Sequence, residues 1–252
     1  MNKPSISVFA IVRNEEKNIE RCLNSVRWAD EIVIVDSHST DRTVALCKKY
    51  TNKIIDREFT NYSDQKNFAL AQTTSEWAFS IDGDEEDTEA LKEEILRTIS
   101  SSEALDAYYV PRHSFIFGRE FHFTGTQDDR QIRLFQKDKA RFEQPIHETV
   151  KVEGRTGTLK HYLLHYPYQT LSEYMLQFER YTTMEAEYLK SRGYRVTSID
   201  LIAKPVGQFL RLYILKQGFR DGWEGFLFSW FSGRYVFVKY MKCLKLGASR
   251  QP

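Results

Sequence analysis

What most restricts the fold of this chain is the rhythm of its first hundred residues, where short apolar runs alternate with helix-like stretches. That alternation marks βαβ units built around a mostly parallel sheet. It predicts strands at Ile6–Ile11, Ile32–Val35, Lys53–Ile55 and Trp77–Ile81. Helices are expected over Glu16–Val26, from about Thr40, and over Gln65–Gln72, with Asp41 in a first turn where a carboxylate suits the helix dipole. In open α/β sheets ligands bind outside the carboxyl ends of the strands, so residues just after strands one, two and four should converge.

The fourth of these strands runs straight into Asp82-Gly83-Asp84-Glu85. Two carboxylates flanking a glycine at a strand end can direct hard oxygen ligands at a divalent cation and leave positions open for phosphate oxygens. Such a turn needs a further ligand and a diphosphate to complete the shell. Its plainer reading is an acidic turn capping a helix that begins near Thr88.

Val35-Asp36-Ser37-His38-Ser39-Thr40-Asp41, Ile11-Val12-Arg13-Asn14-Glu15 and Asp82-Gly83-Asp84-Glu85 stand in an order and spacing that resemble the family 2 glycosyltransferases. The likeness is nearer still to bacterial lipopolysaccharide core enzymes that add glucose to inner-core heptose. Those share Trp28-Ala29-Asp30-Glu31, Gln65-Lys66-Asn67, Arg133-Leu134-Phe135, His147-Glu148 and Gly218-Phe219-Arg220-Asp221-Gly222-Trp223. Two positions depart from the family: His38 stands where Gly is usual, and Gly83 where Ala is usual.

The resemblance implies an α/β fold of nucleotide-diphospho-sugar transferase (GT-A) type with a helical C-terminal extension. The catalytic nucleotide-sugar domain is expected over residues 1–170 and the extension over 171–252. It also implies an inverting transfer of a hexose, glucose by the likeness, from a UDP-sugar to a saccharide hydroxyl of the lipopolysaccharide core. Asn14, Glu15, Asp36, Lys66 and Asp82 are the implied donor-binding residues. A carboxylate or amide at a strand end can accept from a ribose hydroxyl or a uracil imide. Asp84 and His165 are the implied ligands for Mg2+ or Mn2+. Inversion needs one carboxylate near the acceptor hydroxyl; Glu148 is the first choice, with Asp128 and Asp129 in reserve.

Each of these residues also has an ordinary reading: Asp36 as a helix-entry residue, Lys66 as a solvated cation, His165 as a hydrogen-bonded strand histidine. Two other functions compete. A sugar nucleotidyltransferase would use the same architecture, but Val12-Arg13-Asn14-Glu15 is acidic and bulky where a triphosphate cradle should be Gly-rich and basic. The other is a non-catalytic membrane-surface binding protein of the same fold. His161 and His165 lack the glutamate of a zinc protease motif, and no phosphate-binding P-loop or dinucleotide glycine turn occurs.

From Tyr108 to Tyr166 the pattern shifts to shorter, mixed strands, among them Gln131–Phe135 and Thr149–Val152. Leu171–Arg192 reads as a long helix and Ile199–Leu246 as a second helical region. Between Lys204 and Lys245 eight Lys/Arg face only Asp221 and Glu224, a net +6 in a chain of net +1, interleaved with aromatics. Trp, Tyr and basic residues suit a headgroup layer, so an anionic membrane surface carrying a lipid-linked saccharide acceptor is the expected partner. A tail that simply packs its aromatics on the body is the alternative. No nucleic-acid module accompanies the basic residues. No run of about 18 apolar residues suggests a span. Cys22, Cys47 and Cys243 are scattered and read as reduced thiols, so a cytoplasmic setting is expected, and the tail adds the expectation of a peripheral place on the inner face of the cytoplasmic membrane.

Overall fold

The computed structural model describes residues 4–144 and 148–248. Two compact units divide the chain: one takes the residues up to Arg112 together with Asp129–His165, the other His113–Asp128 together with the residues from Tyr166 onward.

In the first unit the central strand β1 (Ile6–Val12) pairs in parallel with β2 (Glu31–Asp36) and β4 (Trp77–Ser80), and β2 pairs in parallel with β3 (Ile54–Asp56). Beyond β4 the sheet becomes mixed. Strand β8 (Arg130–Gln136) runs antiparallel to β4 and to β6 (Ala107–Ile116), and β12 (Leu163–Tyr168) runs antiparallel to β5 (Glu85–Asp87). Strands β9 (Ala140–Glu143) and β10 (Thr149–Val152) form a separate hairpin.

Alternation along β1 sends its side chains to two cores, because successive strand residues face opposite sides. Ile6, Val8, Ala10 and Val12 pack with α1 (Ile19–Ser25), α2 (Thr43–Cys47) and α4 (Glu89–Ile99) through Leu23, Leu46 and Leu91. Phe9 faces the other way, toward Ala69 and Leu70 of α3 (Tyr62–Gln72) and toward Phe135 and Phe142. The three phenylalanines meet edge to face with centroids 6.0–6.3 Å apart, an arrangement aromatic quadrupoles favour. Burial on both faces explains why β1 and β2 are almost uniformly apolar.

Side-chain caps set where α3 and α4 begin. Thr88 Oγ1 accepts from Leu91 N at 3.2 Å to open α4. The second helix begins at Thr43, later than the expected Thr40, because Asp41 lies outside it and accepts from Thr43 N at 2.9 Å.

Among the described residues the second unit is mainly helical, with strand only at the ends of β6 and β12 and at β7 (Arg119–Phe121), the partner of β6. Its long helices are α5 (Leu171–Ser191), opened by a Thr170–Glu173 capping box, and α8 (Gly222–Ala248). Between them lie α6 (Ser198–Leu201), α7 (Ala203–Leu210), a π-helical turn at Arg211–Leu215 and a 3-10 turn at Gly218–Asp221. The π turn continues directly from α7. Gly233 lets α8 approach α7 closely, since a Cβ there would lie 2.9 Å from the Pro205 carbonyl oxygen. Among the described residues no helix is long and apolar enough to cross a membrane.

Candidate active site

At the carboxyl end of β1 the chain turns through Asn14 with φ 56°, the left-handed region that Asn tolerates better than most residues. Asn14 N donates to Ser39 Oγ at 2.9 Å, and its side-chain Oδ1 accepts from Thr40 N at 2.8 Å. The Asn14 amide oxygen is thus committed to the loop after β2. His38 in that loop has φ 57°, a conformation glycine adopts without strain, which accounts for the glycine usual at this place. Its Nε2 lies 3.7 Å from Asp56 Oδ1 at the surface.

Asp36 closes β2 and is 3% exposed. One oxygen, Oδ2, accepts from Ser39 N at 2.8 Å, while Oδ1 is buried with no hydrogen-bond partner. Buried polar atoms are almost always satisfied. An orphan acceptor at a strand end fits a donor group on a ligand.

The acidic turn after β4 is closed by Asp82 N donating to Glu85 Oε2 at 2.9 Å. Glu15 lies beside it: a Cβ added at Gly83 would sit 3.0 Å from Glu15 Cγ, so glycine here leaves room that alanine would take up. Burial, reinforced by Asp84, Asp82 and Asp41, pushes the Glu15 carboxyl up to about 7. That shift marks a place where negative charge is under-compensated.

Across the turn stand three cations, Lys66 and Arg133 buried and Arg112 partly so. Lys66, presented by α3, is 2.6 Å from Glu148 Oε1 and 2.9 Å from Asp82 Oδ1. Its neighbours on the helix hold it there: Gln65 Nε2 donates to Ser37 Oγ at 3.0 Å, and Asn67 exchanges two 2.8 Å bonds with the Phe142 backbone. Arg133 Nη2 reaches Asp82 Oδ2 at 2.5 Å and Glu85 Oε1 at 2.6 Å. Arg112 Nη1 donates to the same Glu85 oxygen at 3.0 Å and clamps both oxygens of Asp129 at 2.9 and 3.1 Å. Burial opposes charge on Asp82, yet Arg133 and Lys66 hold its carboxyl well below the usual range. Burial would lower the Lys66 ammonium, but Asp82 and Glu148 raise it.

Asp84 faces His165, with Oδ2 and Nε2 3.6 Å apart. The antiparallel register that sets His165 opposite Glu85 brings the histidine to the turn. Burial opposes ionisation of Asp84, and His165 nevertheless keeps it below its ordinary range. An imidazole and a carboxylate side by side suit a borderline or hard divalent cation. Among the described residues no three His, Cys, Asp or Glu side chains are grouped to hold one. A cation here would therefore draw its other ligands from a diphosphate or water.

The structure thus links Glu15, Lys66, Asp82, Asp84, Glu148 and His165 around one turn, with Asp36 at the neighbouring strand end. Of the reserve carboxylates, Asp129 is taken by Arg112, and Asp128 belongs to the second unit, where Lys216 Nζ lies 2.5 Å away. Pro145, Ile146 and His147 lie outside the described residues. Sequence reasoning gave no role to Glu85, Arg112 and Arg133, which knit the turn to β6 and β8. The one hint was Arg133 between the apolar residues Ile132 and Leu134.

Residues 7–165 match the family described as Glycosyl transferase family 2. A lipopolysaccharide core biosynthesis glycosyltransferase, LpsC of Rhizobium meliloti (strain 1021), is 32% identical over 248 residues, covering 95% of this chain and 92% of its own. An uncharacterized glycosyltransferase of Rickettsia typhi is 28% identical, covering 96% of this chain and 86% of its own. Among solved structures, S. aureus TarS in complex with UDP-GlcNAc shares 14% identity over 98% of this chain and 92% of that one, with TM-score 0.49. With a family match over more than half its length and a full-length relative above 30% identity, this chain is a family 2 glycosyltransferase of GT-A type fold.

Proposed function

We propose that the enzyme moves a hexosyl group, glucose in the reading developed above, from a UDP-sugar to a saccharide hydroxyl of the lipopolysaccharide core, with inversion at the anomeric carbon. The observation that carries the donor half is the unpartnered, buried Oδ1 of Asp36 at the end of β2, beside a turn in which acids and cations are packed together. Asp36 accepts a hydrogen bond from the ribose or base. Asn14 shapes the loop around that pocket, and Glu15 forms its wall beside the turn. Asp82 and Lys66 address the diphosphate end.

Asp84 and His165 would hold Mg2+ or Mn2+, and when bound the metal supplies Lewis-acid stabilisation of the departing nucleoside diphosphate. Glu148 takes the proton of the acceptor hydroxyl as that oxygen bonds to the anomeric carbon and the bond to the diphosphate breaks. Lys66 Nζ lies 2.6 Å from Glu148 Oε1 and so orients the base. Residues 1–170 carry this machinery. The extension 171–252 serves attachment to an anionic membrane surface bearing a lipid-linked acceptor, on the cytoplasmic face. The full-length relative named for lipopolysaccharide core biosynthesis supports the acceptor class.

The test is Glu148→Gln, which keeps size and hydrogen bonding but cannot accept the proton. With UDP-glucose and a core oligosaccharide, transfer should fall by roughly 10² or more while donor affinity is retained. Full turnover by this variant would remove Glu148 from the role and pass it to Asp129 or Asp128.

A further inference from the structure

Every large hydrophobic side chain that the structure leaves exposed, among the described residues, lies between Leu171 and Leu246. Scattered exposed apolar residues are normal, but confinement to one region is not. Within that region Ile199, Ile202, Val206, Leu210 and Ile214 are 64, 67, 54, 42 and 54% exposed. Their spacing of three, then four, four and four residues traces one face of the continuous path through α6, α7 and the π turn. Such a stripe ordinarily faces a core. Here the core side is already occupied by other residues: Leu212 is buried, and Phe209 packs edge to face on Phe226 and Trp230 of α8.

We infer that this stripe is a membrane-insertion face, so that the enzyme is held at the bilayer by apolar side chains more than by its lysines. The inference rests on the membrane-surface partner proposed above and changes how that surface is engaged. The lysines near the end of α8 are largely committed inside the unit. Lys239 Nζ lies 2.7 Å from Glu185 Oε2, and Lys242 Nζ lies 2.5 Å from Glu179 Oε2. Lys204 and Lys216 are likewise paired, with Asp200 at 2.7 Å and Asp128 at 2.5 Å.

Charge favours lipid over a second copy of the chain. Residues 201–220 contain Lys204, Arg211, Lys216 and Arg220 and no Asp or Glu; with Lys204 and Lys216 paired to Asp200 and Asp128, Arg211 and Arg220 keep the stretch positive. A two-fold contact sets the same patch against itself, so it would oppose these cations to their own copies, whereas an anionic leaflet complements them. An aromatic chain runs from Phe209 through Tyr213 and Phe226 to Trp223, which is 65% exposed in the same unit. Tryptophan at the edge of an apolar face suits the headgroup boundary.

The experiment compares the full chain with two variants: Ile202→Ser/Val206→Ser/Leu210→Ser/Ile214→Ser, and Lys239→Gln/Lys242→Gln. Each is sedimented with vesicles of phosphatidylcholine alone and with phosphatidylglycerol added, at low and high salt. The full chain should bind both, more tightly with the anionic lipid, and keep part of its binding at high salt. The serine variant should lose roughly tenfold or more of its vesicle affinity, and the glutamine variant much less. Thermal melting of the serine variant should be unchanged because its four positions are exposed, and a single Ile202→Asp chain should weaken binding in the same direction. Equal vesicle binding by the serine variant, complete loss of binding at high salt, or self-association of the full chain that the serine changes abolish would each overturn the inference. Transfer to a soluble saccharide, measured alongside, separates the two readings: its absence counts against the proposed reaction and leaves the insertion face standing.

Discussion

The two units break the usual sorting of residues in opposite ways. The first buries charge: Glu85, Arg133 and Lys66 are each at most 4% exposed and stand in one connected network. The second exposes apolar surface, with Ile202, Trp223 and Leu215 all more than half uncovered. Burying ions costs several kcal/mol each and is offset only by close pairing. Exposing a hydrophobic face forgoes about 25 cal/mol per Å² of stabilisation. Both are departures a chain selected for stability alone would avoid, and both fall where the proposed transfer from a charged donor to a lipid-linked acceptor would need them.

If that contrast is sound, matched substitutions should behave differently in the two units. Arg133→Met removes the cation shared by Asp82 and Glu85 and leaves the fully buried Glu85 with Arg112 as its remaining arginine partner. A loss of about 3–5 kcal/mol is expected on denaturant unfolding. Ile202→Ser in the second unit should move stability by less than about 0.5 kcal/mol. Similar costs for the two would erase the distinction.

A smaller effect should appear in the pH dependence. Burial pushes the Asp87 carboxyl up to about 7 from its ordinary 3.8. Its Oδ2 accepts from Trp28 Nε1 at 2.8 Å, while Oδ1 is buried with no hydrogen-bond partner. Between those pH values the folded protein holds a proton that the unfolded chain has released. The stabilisation is therefore complete below about pH 4 and is lost as the pH rises through about 7. Roughly 2–4 kcal/mol should disappear across that window. Glu15, likewise raised to about 7, contributes to the same window, so Asp87→Asn should reduce the slope without removing it, and an unchanged slope in the variant would assign it to other groups.

The Trp28 bond also shows why parts of the site were legible in the sequence and parts were not. Strand β1 announces itself because burial on both faces forces a continuous apolar run, and Thr149–Val152 is read with its observed bounds because its alternation is local. The acidic turn is visible for the same reason, as a cluster contiguous in sequence. What Trp28 does is not visible, because its partner lies 59 residues away. Arg112 and Glu85 are hidden likewise, being hydrogen-bonded across 27 residues. The tail shows the converse. Its charge count was plain, but Glu179 and Glu185 of α5 take up Lys242 and Lys239, and no count of residues 204–245 alone could include them.

The claim on which the account turns is that the Asp82–Asp84 turn receives a metal-bound nucleoside diphosphate. Titrating UDP-glucose into the full chain with and without Mn2+, and into Asp84→Asn under the same conditions, tests it directly by calorimetry. Asn keeps the size of the side chain but loses the ligand charge. Donor binding that tightens with Mn2+ in the full chain, and a metal dependence that vanishes in Asp84→Asn, is the predicted result. Metal-independent binding of equal strength by both proteins would contradict it.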